Sequence, residues 1–212
     1  VSRLSKQILE QVGQVVVGKE DVLRWVLAAV LAKGHILLED VPGVGKTTMA
    51  LAYSKALDLQ YSRVQFTPDV LPSDVTGYSV PDRQTGQLVY QKGAVICNLF
   101  LADELNRATS RTQSALLEAM EEGQVTVDGV SHVLPDPFVV IATQNPVESM
   151  GTFPLPEAQM DRFLMKGSMD YPTHEESINI LARFDRQSPL STLTSVVSME
   201  ELTEAIRELP NI

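Results

Sequence analysis

The stretch Asp40-Val41-Pro42-Gly43-Val44-Gly45-Lys46-Thr47-Thr48 decides the fold of this 212-residue chain. It follows a compact apolar strand predicted at 35–39 and precedes a segment of helix-forming composition at 49–57. Strand, glycine-rich loop and helix occur in the order that a phosphate loop requires. The stretch departs from the pattern G-x-x-x-x-G-K-S/T at its first position, where Asp40 replaces glycine. Because Asp adopts unusual backbone angles more readily than most residues, a phosphate loop is still predicted.

The residue types of this loop suit a triphosphate bound beside Mg²⁺. Gly43 and Gly45 let backbone N–H groups turn inward without an obstructing Cβ, and the helix that follows adds its positive N-terminal dipole. Lys46 can neutralise the β- and γ-phosphates, and Thr47 offers a hydroxyl to Mg²⁺. The predicted nucleotide-binding residues of the loop are Val41, Pro42, Gly43, Val44, Gly45, Lys46, Thr47 and Thr48.

Apolar strands alternate with helices along most of the chain. Strands are predicted at 35–39, 62–66, 99–102 and 138–142, with a possible last strand at 162–168. Helices are predicted at 4–12, 20–33, 49–57, 111–122, 173–184 and 199–209. This alternation favours an α/β fold in which helices cover both faces of a parallel sheet. Functional residues are then expected at the carboxyl ends of the strands.

Two hairpins are predicted outside this alternation. Residues 67–93 form a long polar stretch without a predicted helix, and 76–80 and 87–90 read as the arms of a hairpin within it. Residues 124–127 and 131–134 flank Asp128-Gly129, which is a strong signal for a two-residue turn.

Polar residues follow two of the predicted strands. Asp103 is placed to hold Mg²⁺, and Glu104 could orient or deprotonate the attacking water; a solvated strand end is the alternative for this pair. Asn145 could hold the attacking water or sense the γ-phosphate, although a turn residue before Pro146 has the same signature. These residues lie at the carboxyl ends of predicted strands, where functional residues of α/β sheets occur.

Arginines are candidates for action between subunits. The Arg162 guanidinium could stabilise the γ-phosphate charge in a neighbouring subunit, and the alternative is a local ion pair with Asp161 or Glu157. Arg107 is a second interface candidate.

The composition limits the kinds of partner and the cellular compartment that are expected. A formal net charge of −10 disfavours nucleic acid and acidic membranes, and no apolar run is long enough for a transmembrane segment. The single cysteine, Cys97, lies in an apolar run and is expected to be a buried small hydrophobe, so a reducing, cytoplasmic setting is the default.

Taken together, these residues resemble the MoxR family of AAA+ ATPases. The matching stretches occur in order over nearly the whole chain, at 16–18, 38–48, 101–108, 113–123, 142–146 and 155–166. The resemblance implies a P-loop NTPase sheet of the ASCE type with strand order 5-1-4-3-2. It implies a nucleotide-binding core at 1–170 with insert hairpins at 77–92 and 124–134, and a linker with the start of a helical lid at 171–212.

The resemblance also assigns roles and ligands. It implies ATP and Mg²⁺, with 40–48 as the Walker A loop and Asp103 and Glu104 as Walker B. It implies Asn145 as sensor 1, Arg162 as the arginine finger, and Val17 and Gly18 as the adenine-side loop. The sensor 2 arginine is expected beyond Ile212, so that this stretch alone would hydrolyse ATP poorly.

Family resemblance further implies a homo-oligomer, usually a hexameric ring, with chaperone-like remodelling activity and a von Willebrand factor A domain protein as partner. A nucleic-acid motor related to minichromosome maintenance helicases is an alternative, although residues 124–134 contain no Lys or Arg to track phosphates. The sequence is also compatible with a magnesium-chelatase-like subunit and with a nucleotide-gated scaffold that has little turnover.

Overall fold

The computed structural model describes residues 2–40, 43–145, 151–184 and 189–209. Its helices are α1 (Ser2–Gly13), α2 (Glu20–Leu31), α3 (Lys46–Ala56), α4 (Pro72–Thr76), α5 (Ser110–Glu122), α6 (Glu157–Met160), α7 (His174–Phe184), α8 (Pro189–Thr192) and α9 (Met199–Glu208). Its strands are β1 (Ile36–Asp40), β2 (Tyr61–Gln65), β3 (Gly77–Pro81), β4 (Leu88–Lys92), β5 (Leu99–Asp103), β6 (Gln124–Val127), β7 (Val130–Val133), β8 (Val139–Gln144) and β9 (Met165–Met169).

Five strands form the central sheet in the order β2-β5-β8-β1-β9. All four neighbouring pairs are parallel. Numbered by their sequence among these five, the strands stand in the order 2-3-4-1-5, which is the expected 5-1-4-3-2 read from the other edge. The α/β class and the strand order are therefore confirmed.

Alternation along β5 shows how the sheet separates two apolar layers. Leu99 and Leu101 pack into a cluster with residues of α1, α2 and α3. Phe100 and Ala102 point to the opposite face and pack into a second cluster with residues of α5. Because successive side chains of a strand point to opposite faces, an unbroken apolar strand is buried on both sides.

The expectation that residues 67–93 contain no helix was wrong. The short helix α4 forms there because Pro72 occupies its first turn, where a missing N–H costs nothing. The Asp74 carboxylate also accepts the Leu71 backbone N–H at 2.8 Å. The possible last strand at 162–168 starts later, at Met165, because the chain at Phe163 is still turning and donates its N–H to the Met160 carbonyl at 3.0 Å.

Both expected hairpins form, and they contact each other. Strands β3 and β4 pair antiparallel, as do β6 and β7, with Asp128 and Gly129 at positive φ in the second turn. The rings of Tyr90 and His132 stack with centroids 3.7 Å apart and planes 11° apart. This stack joins the two hairpins.

The C-terminal segment packs on the same apolar layer as the first three helices, through residues of α9 and of the segment that precedes it. The division at residue 170 into core and lid remains a prediction. Cys97 is buried, and burial raises the pKa of its thiol to about 12. In the part of the chain that the structure describes, no helix combines the length and apolarity needed to cross a bilayer.

Candidate active site

The predicted phosphate loop leaves an open cradle in front of α3. Gly43 and Gly45 have φ of 85° and 92°, in the left-handed region that favours glycine. A Cβ built on either residue meets no atom within 4 Å, so the space beside the loop is free. Helix α3 begins at Lys46 and directs its first N–H groups toward this space. Val41 and Pro42 lie outside the described residues.

The loop lysine and the strand-end aspartate form an ion pair. Lys46 Nζ lies 2.7 Å from Asp103 Oδ1, and both residues are at least 90 % buried. Thr143 Oγ1 donates to the same carboxylate oxygen at 2.9 Å. Arg63 Nη2 donates to the other oxygen, Oδ2, at 2.7 Å. Three strands and one helix therefore converge on a single carboxylate.

The surroundings keep this carboxylate charged. Burial by itself raises the pKa of Asp103, but hydrogen bonds from Lys46 and Arg63 outweigh it, so that the pKa lies below its ordinary value. An ionised Asp103 at neutral pH is what a magnesium ligand requires.

A cleft of about 370 Å³ collects the polar residues. It is lined by Gly43, Gly45, Lys46, Thr47, Arg63, Gln65, Asp103 and Glu104. Hydroxyl and carboxylate oxygens from Thr47 and Asp103 are ligands that Mg²⁺ accepts, and the glycine cradle and Lys46 suit a polyphosphate. The residues present therefore fit a nucleotide bound with Mg²⁺.

Glu104 is held by its main chain and by its side chain. It adopts a left-handed conformation with φ of 58° and ψ of 47°, which is uncommon for a residue other than glycine. Arg107 Nη1 lies 3.2 Å from Glu104 Oε2. Arg107, an interface candidate from the sequence, thus contacts a predicted catalytic residue within its own chain.

Asn145 follows β8 directly and is tied to the 3₁₀ turn after β5. Its backbone oxygen accepts a hydrogen bond from Asn106 Nδ2 at 3.2 Å. It is not among the residues that line the cleft. Thr143, two residues earlier, contacts Asp103 instead, so the role of Asn145 remains a prediction.

A second cavity, of about 200 Å³, adjoins the other side of the glycine loop. It shares Gly43 and Gly45 with the first, and its wall includes the predicted loop residues Val17, Val44 and Thr48. Its lining is mostly apolar, which suits a planar base. Gly18 lines a neighbouring cavity, and any side chain there would overlap Glu176.

Glu39, next to the last residue of β1, contacts side chains of β8 and β9 just before the loop. Its Oε1 atom accepts from Gln144 Nε2 at 2.9 Å and pairs with Lys166 Nζ at 2.8 Å. The hydrogen bond from Lys166 is the main reason that the pKa of Glu39 is lowered. The carboxyl ends of β1 and β8 are therefore tied to the start of β9.

Arg162 lies apart from the cleft. Its Nε atom is 2.9 Å from Glu121 Oε2 at the end of α5, and its side chain is 32 % exposed. The local ion pair that the sequence left open is realised, but with Glu121 rather than with Asp161 or Glu157. The two residues line a surface cavity together with Met120, Ala158 and Asp161.

Two site residues, Arg63 and Thr143, are absent from the sequence prediction. Arg63 lies in a strand whose charged residue could equally be a solvated edge position, and Thr143 reads as the end of an apolar run. One signal could have found Arg63. It is the only basic residue of β2, which is the edge strand next to the one that ends in Asp103.

Comparison with known proteins agrees with this geometry. Residues 35–165 match the family described as "ATPase family associated with various cellular activities (AAA)". YeaC of Bacillus subtilis is 52 % identical over 204 residues, covering 96 % of this chain and 64 % of YeaC. Chaperone MoxR1 of Mycobacterium tuberculosis is 42 % identical over 189 residues, covering 89 % of this chain and 50 % of MoxR1.

A solved structure has the same fold. A protein of Cytophaga hutchinsonii, provisionally described as an ATPase, superposes with a TM-score of 0.89 at 41 % identity. The match covers 98 % of this chain and 63 % of that protein. This chain therefore spans less than two thirds of the length of each of these three proteins.

Proposed function

Because the chain belongs to the MoxR family of AAA+ ATPases, we propose that it binds ATP with Mg²⁺ and hydrolyses it within a chaperone-like remodelling ring. The observation that supports this most is the meeting of Lys46 and Asp103 in a cleft beside an open glycine cradle. A lysine and an ionised carboxylate at such a cradle are the groups that phosphoryl transfer uses.

In this proposal the phosphate loop binds the triphosphate through its backbone N–H groups and the start of α3. The Lys46 ammonium leaves Asp103 for the β- and γ-phosphates, where the opposing charge is larger. Thr47 and Asp103 would then hold Mg²⁺, which neutralises the charge that develops on the phosphates. The apolar cavity next to Val17 receives the base.

Hydrolysis needs a group that orients water against the γ-phosphate. Glu104 is the proposed residue, because it lines the same cleft. Its ion pair with Arg107 holds the carboxylate in one place until the water arrives. Asn145 is proposed to assist from the end of β8.

Arg162 is proposed to act on the nucleotide of a neighbouring subunit. Within its own chain it contacts Glu121 and does not line the cleft, so a role in hydrolysis would require a second copy. A hexameric ring, a von Willebrand factor A domain partner and a cytoplasmic setting are proposed from the family resemblance and the single cysteine. A nucleic-acid motor or a magnesium-chelatase-like role gains no support from the acidic charge or from residues 124–134.

Phosphate release from the full-length protein that contains this chain tests the proposal. We expect Mg²⁺-dependent release of phosphate from ATP, with a specific activity that rises with protein concentration as subunits assemble. Equal specific activity at concentrations below and above assembly would contradict the proposal that hydrolysis requires a ring. Absence of release from the assembled protein would remove hydrolysis and leave a nucleotide-gated scaffold.

A further inference from the structure

We propose that Arg63 prevents Mg²⁺ from binding Asp103 until a polyphosphate is present, so that the metal enters with the nucleotide and not alone. The inference deepens the proposed function and rests on it. It assigns to Arg63 a positioning role that does not require contact with the reacting atoms.

Strand alternation places Arg63 on the face of the sheet that carries Asp103. Tyr61 packs into the apolar layer under α3, whereas Val64 packs into the opposite layer. Arg63, two residues after Tyr61, therefore points to the α3 side. Gln65 is the register partner of Asp103, and Arg63 lies two residues before Gln65 on the same face of the strand. Its long side chain can therefore reach Asp103.

Asp103 has little capacity left for a metal ion. One carboxylate oxygen accepts from Lys46 Nζ at 2.7 Å and from Thr143 Oγ1 at 2.9 Å. The other accepts from Arg63 Nη2 at 2.7 Å. About four acceptor sites exist on a carboxylate, so these donors leave roughly one site, on Oδ2, for a divalent cation, which would also meet two positive groups at short range.

The charges around the cleft favour an anion over a cation. Lys46, Arg63, Asp103 and Glu104 line it, and Arg107 pairs with Glu104 from outside the lining. These groups comprise three positive and two negative charges. A negatively charged triphosphate offsets this net positive charge, whereas a divalent cation alone increases it.

The two cations on Asp103 have different fates when a triphosphate arrives. Lys46 lies at the start of α3 beside the loop, and its flexible ammonium can turn to the phosphates. Arg63 is fixed on the neighbouring strand and continues to hold Oδ2. The oxygen Oδ1 then keeps only its hydrogen bond from Thr143, while Arg63 keeps the carboxylate plane in position for the metal.

Two measurements on the protein test this role. Binding of Mn²⁺ alone, followed by electron paramagnetic resonance, reports access of a metal to the empty cleft. Binding of a fluorescent ATP analogue, mant-ATP, in EDTA and in Mg²⁺ reports how far the nucleotide depends on the metal. The variants are Arg63→Gln, Arg63→Lys, and Arg83→Gln as a control that removes an exposed arginine from the turn of the first hairpin.

We expect wild type, Arg63→Lys and Arg83→Gln to bind Mn²⁺ weakly without nucleotide. We expect Arg63→Gln to bind Mn²⁺ at least about tenfold more tightly, because one positive charge at contact distance is gone. The ratio of mant-ATP affinities in Mg²⁺ and in EDTA should fall in Arg63→Gln alone, because the metal can then occupy the cleft before the nucleotide binds.

Equal Mn²⁺ affinity in wild type and Arg63→Gln would overturn the proposal, as would an unchanged ratio of mant-ATP affinities. If wild type bound no mant-ATP in either buffer, the proposed function would fail. The Mn²⁺ comparison would still decide whether Arg63 excludes a metal, so the two failures are distinguishable.

Discussion

Glu104 donates its backbone N–H to Oγ1 of Thr143 at 2.9 Å, and the same hydroxyl donates to the carboxylate of Asp103. One threonine on β8 thus fixes Asp103, which ends β5, and the residue that follows it. These are the two residues predicted to act on metal and water. Glu104 adopts a left-handed backbone at this point and lines the cleft.

Replacing Glu104 with Gln should separate binding from hydrolysis. The amide keeps the size of the side chain but cannot accept a proton, so we expect phosphate release to fall at least about 10²-fold. Nucleotide affinity should stay close to that of wild type, because Lys46 and the glycine loop are untouched. Titration calorimetry and a phosphate-release assay on the full-length protein measure the two effects.

The matched control is Glu118→Gln, which removes an exposed carboxylate from α5. It should leave both measurements unchanged. Wild-type turnover in Glu104→Gln would assign the attacking water to another residue.

Replacing Gly45 with Ala should cost stability and nucleotide binding together. A Cβ there meets no neighbouring atom, so the loss of stability comes from the left-handed backbone and should be about 1–2 kcal/mol. Gly123 has φ of 62° after α5 and equally open space, so Gly123→Ala should lose a similar free energy of unfolding yet bind ATP normally. Denaturant unfolding and nucleotide titration of both variants make the comparison. Normal ATP affinity in Gly45→Ala would mean that the loop does not approach the phosphates.

Replacing Arg162 with Ala should abolish turnover without unfolding the chain. Its ion pair with Glu121 is partly exposed and contributes at most about 1 kcal/mol to stability. As an arginine finger, however, it would contribute a factor of about 10³ or more to the rate. Mixing Arg162→Ala with Glu104→Gln subunits should restore part of the phosphate release, because one interface then carries both wild-type groups. The absence of recovery at every mixing ratio would contradict a shared site.

Acid should destabilise the chain through His35. Burial lowers its pKa below the ordinary 6.5, although the hydrogen bond to the Met120 carbonyl opposes this. The Val140 N–H donates to Nδ1 at 3.0 Å, so protonation of that nitrogen would break the contact. As the pH falls below about 6.5 the unfolded chain binds a proton that the folded chain does not, and stability falls by up to about 1.4 kcal/mol per pH unit.

Denaturant unfolding at pH 7.5, 6.5 and 5.5 measures this slope. His35→Gln should flatten it over that range, whereas His174→Gln, at an exposed position on α7, should keep the wild-type slope. Parallel curves for wild type and His35→Gln would show that His35 is not the group responsible.

The parallel sheet and the approach of Lys46 to Asp103 follow from local patterns, whereas the strand order was implied by the family resemblance. The apolar runs at β5 and β8 are long enough to be recognised as buried strands, and each ends in polar residues. Parallel strands bring their carboxyl ends to one edge of the sheet, so the phosphate loop and Asp103 must approach each other there.

Contacts between distant segments, by contrast, leave no local signal. Arg63 reaches Asp103 only because β2 pairs with β5, 40 residues away along the chain. The partner of Arg162 is Glu121, in a segment that sequence spacing did not connect with it. The stack of Tyr90 on His132 likewise requires two hairpins to meet.

Nucleotide titration of Lys46→Ala tests the central claim most directly, because it removes the one ammonium group of the phosphate loop. Arg63 and Thr143 still hold Asp103, so the variant should fold. Lys55→Ala, in the last turn of the same helix, is the matched control. We expect no measurable ATP binding by Lys46→Ala and wild-type affinity for Lys55→Ala, and ATP binding by Lys46→Ala with wild-type affinity would contradict the account.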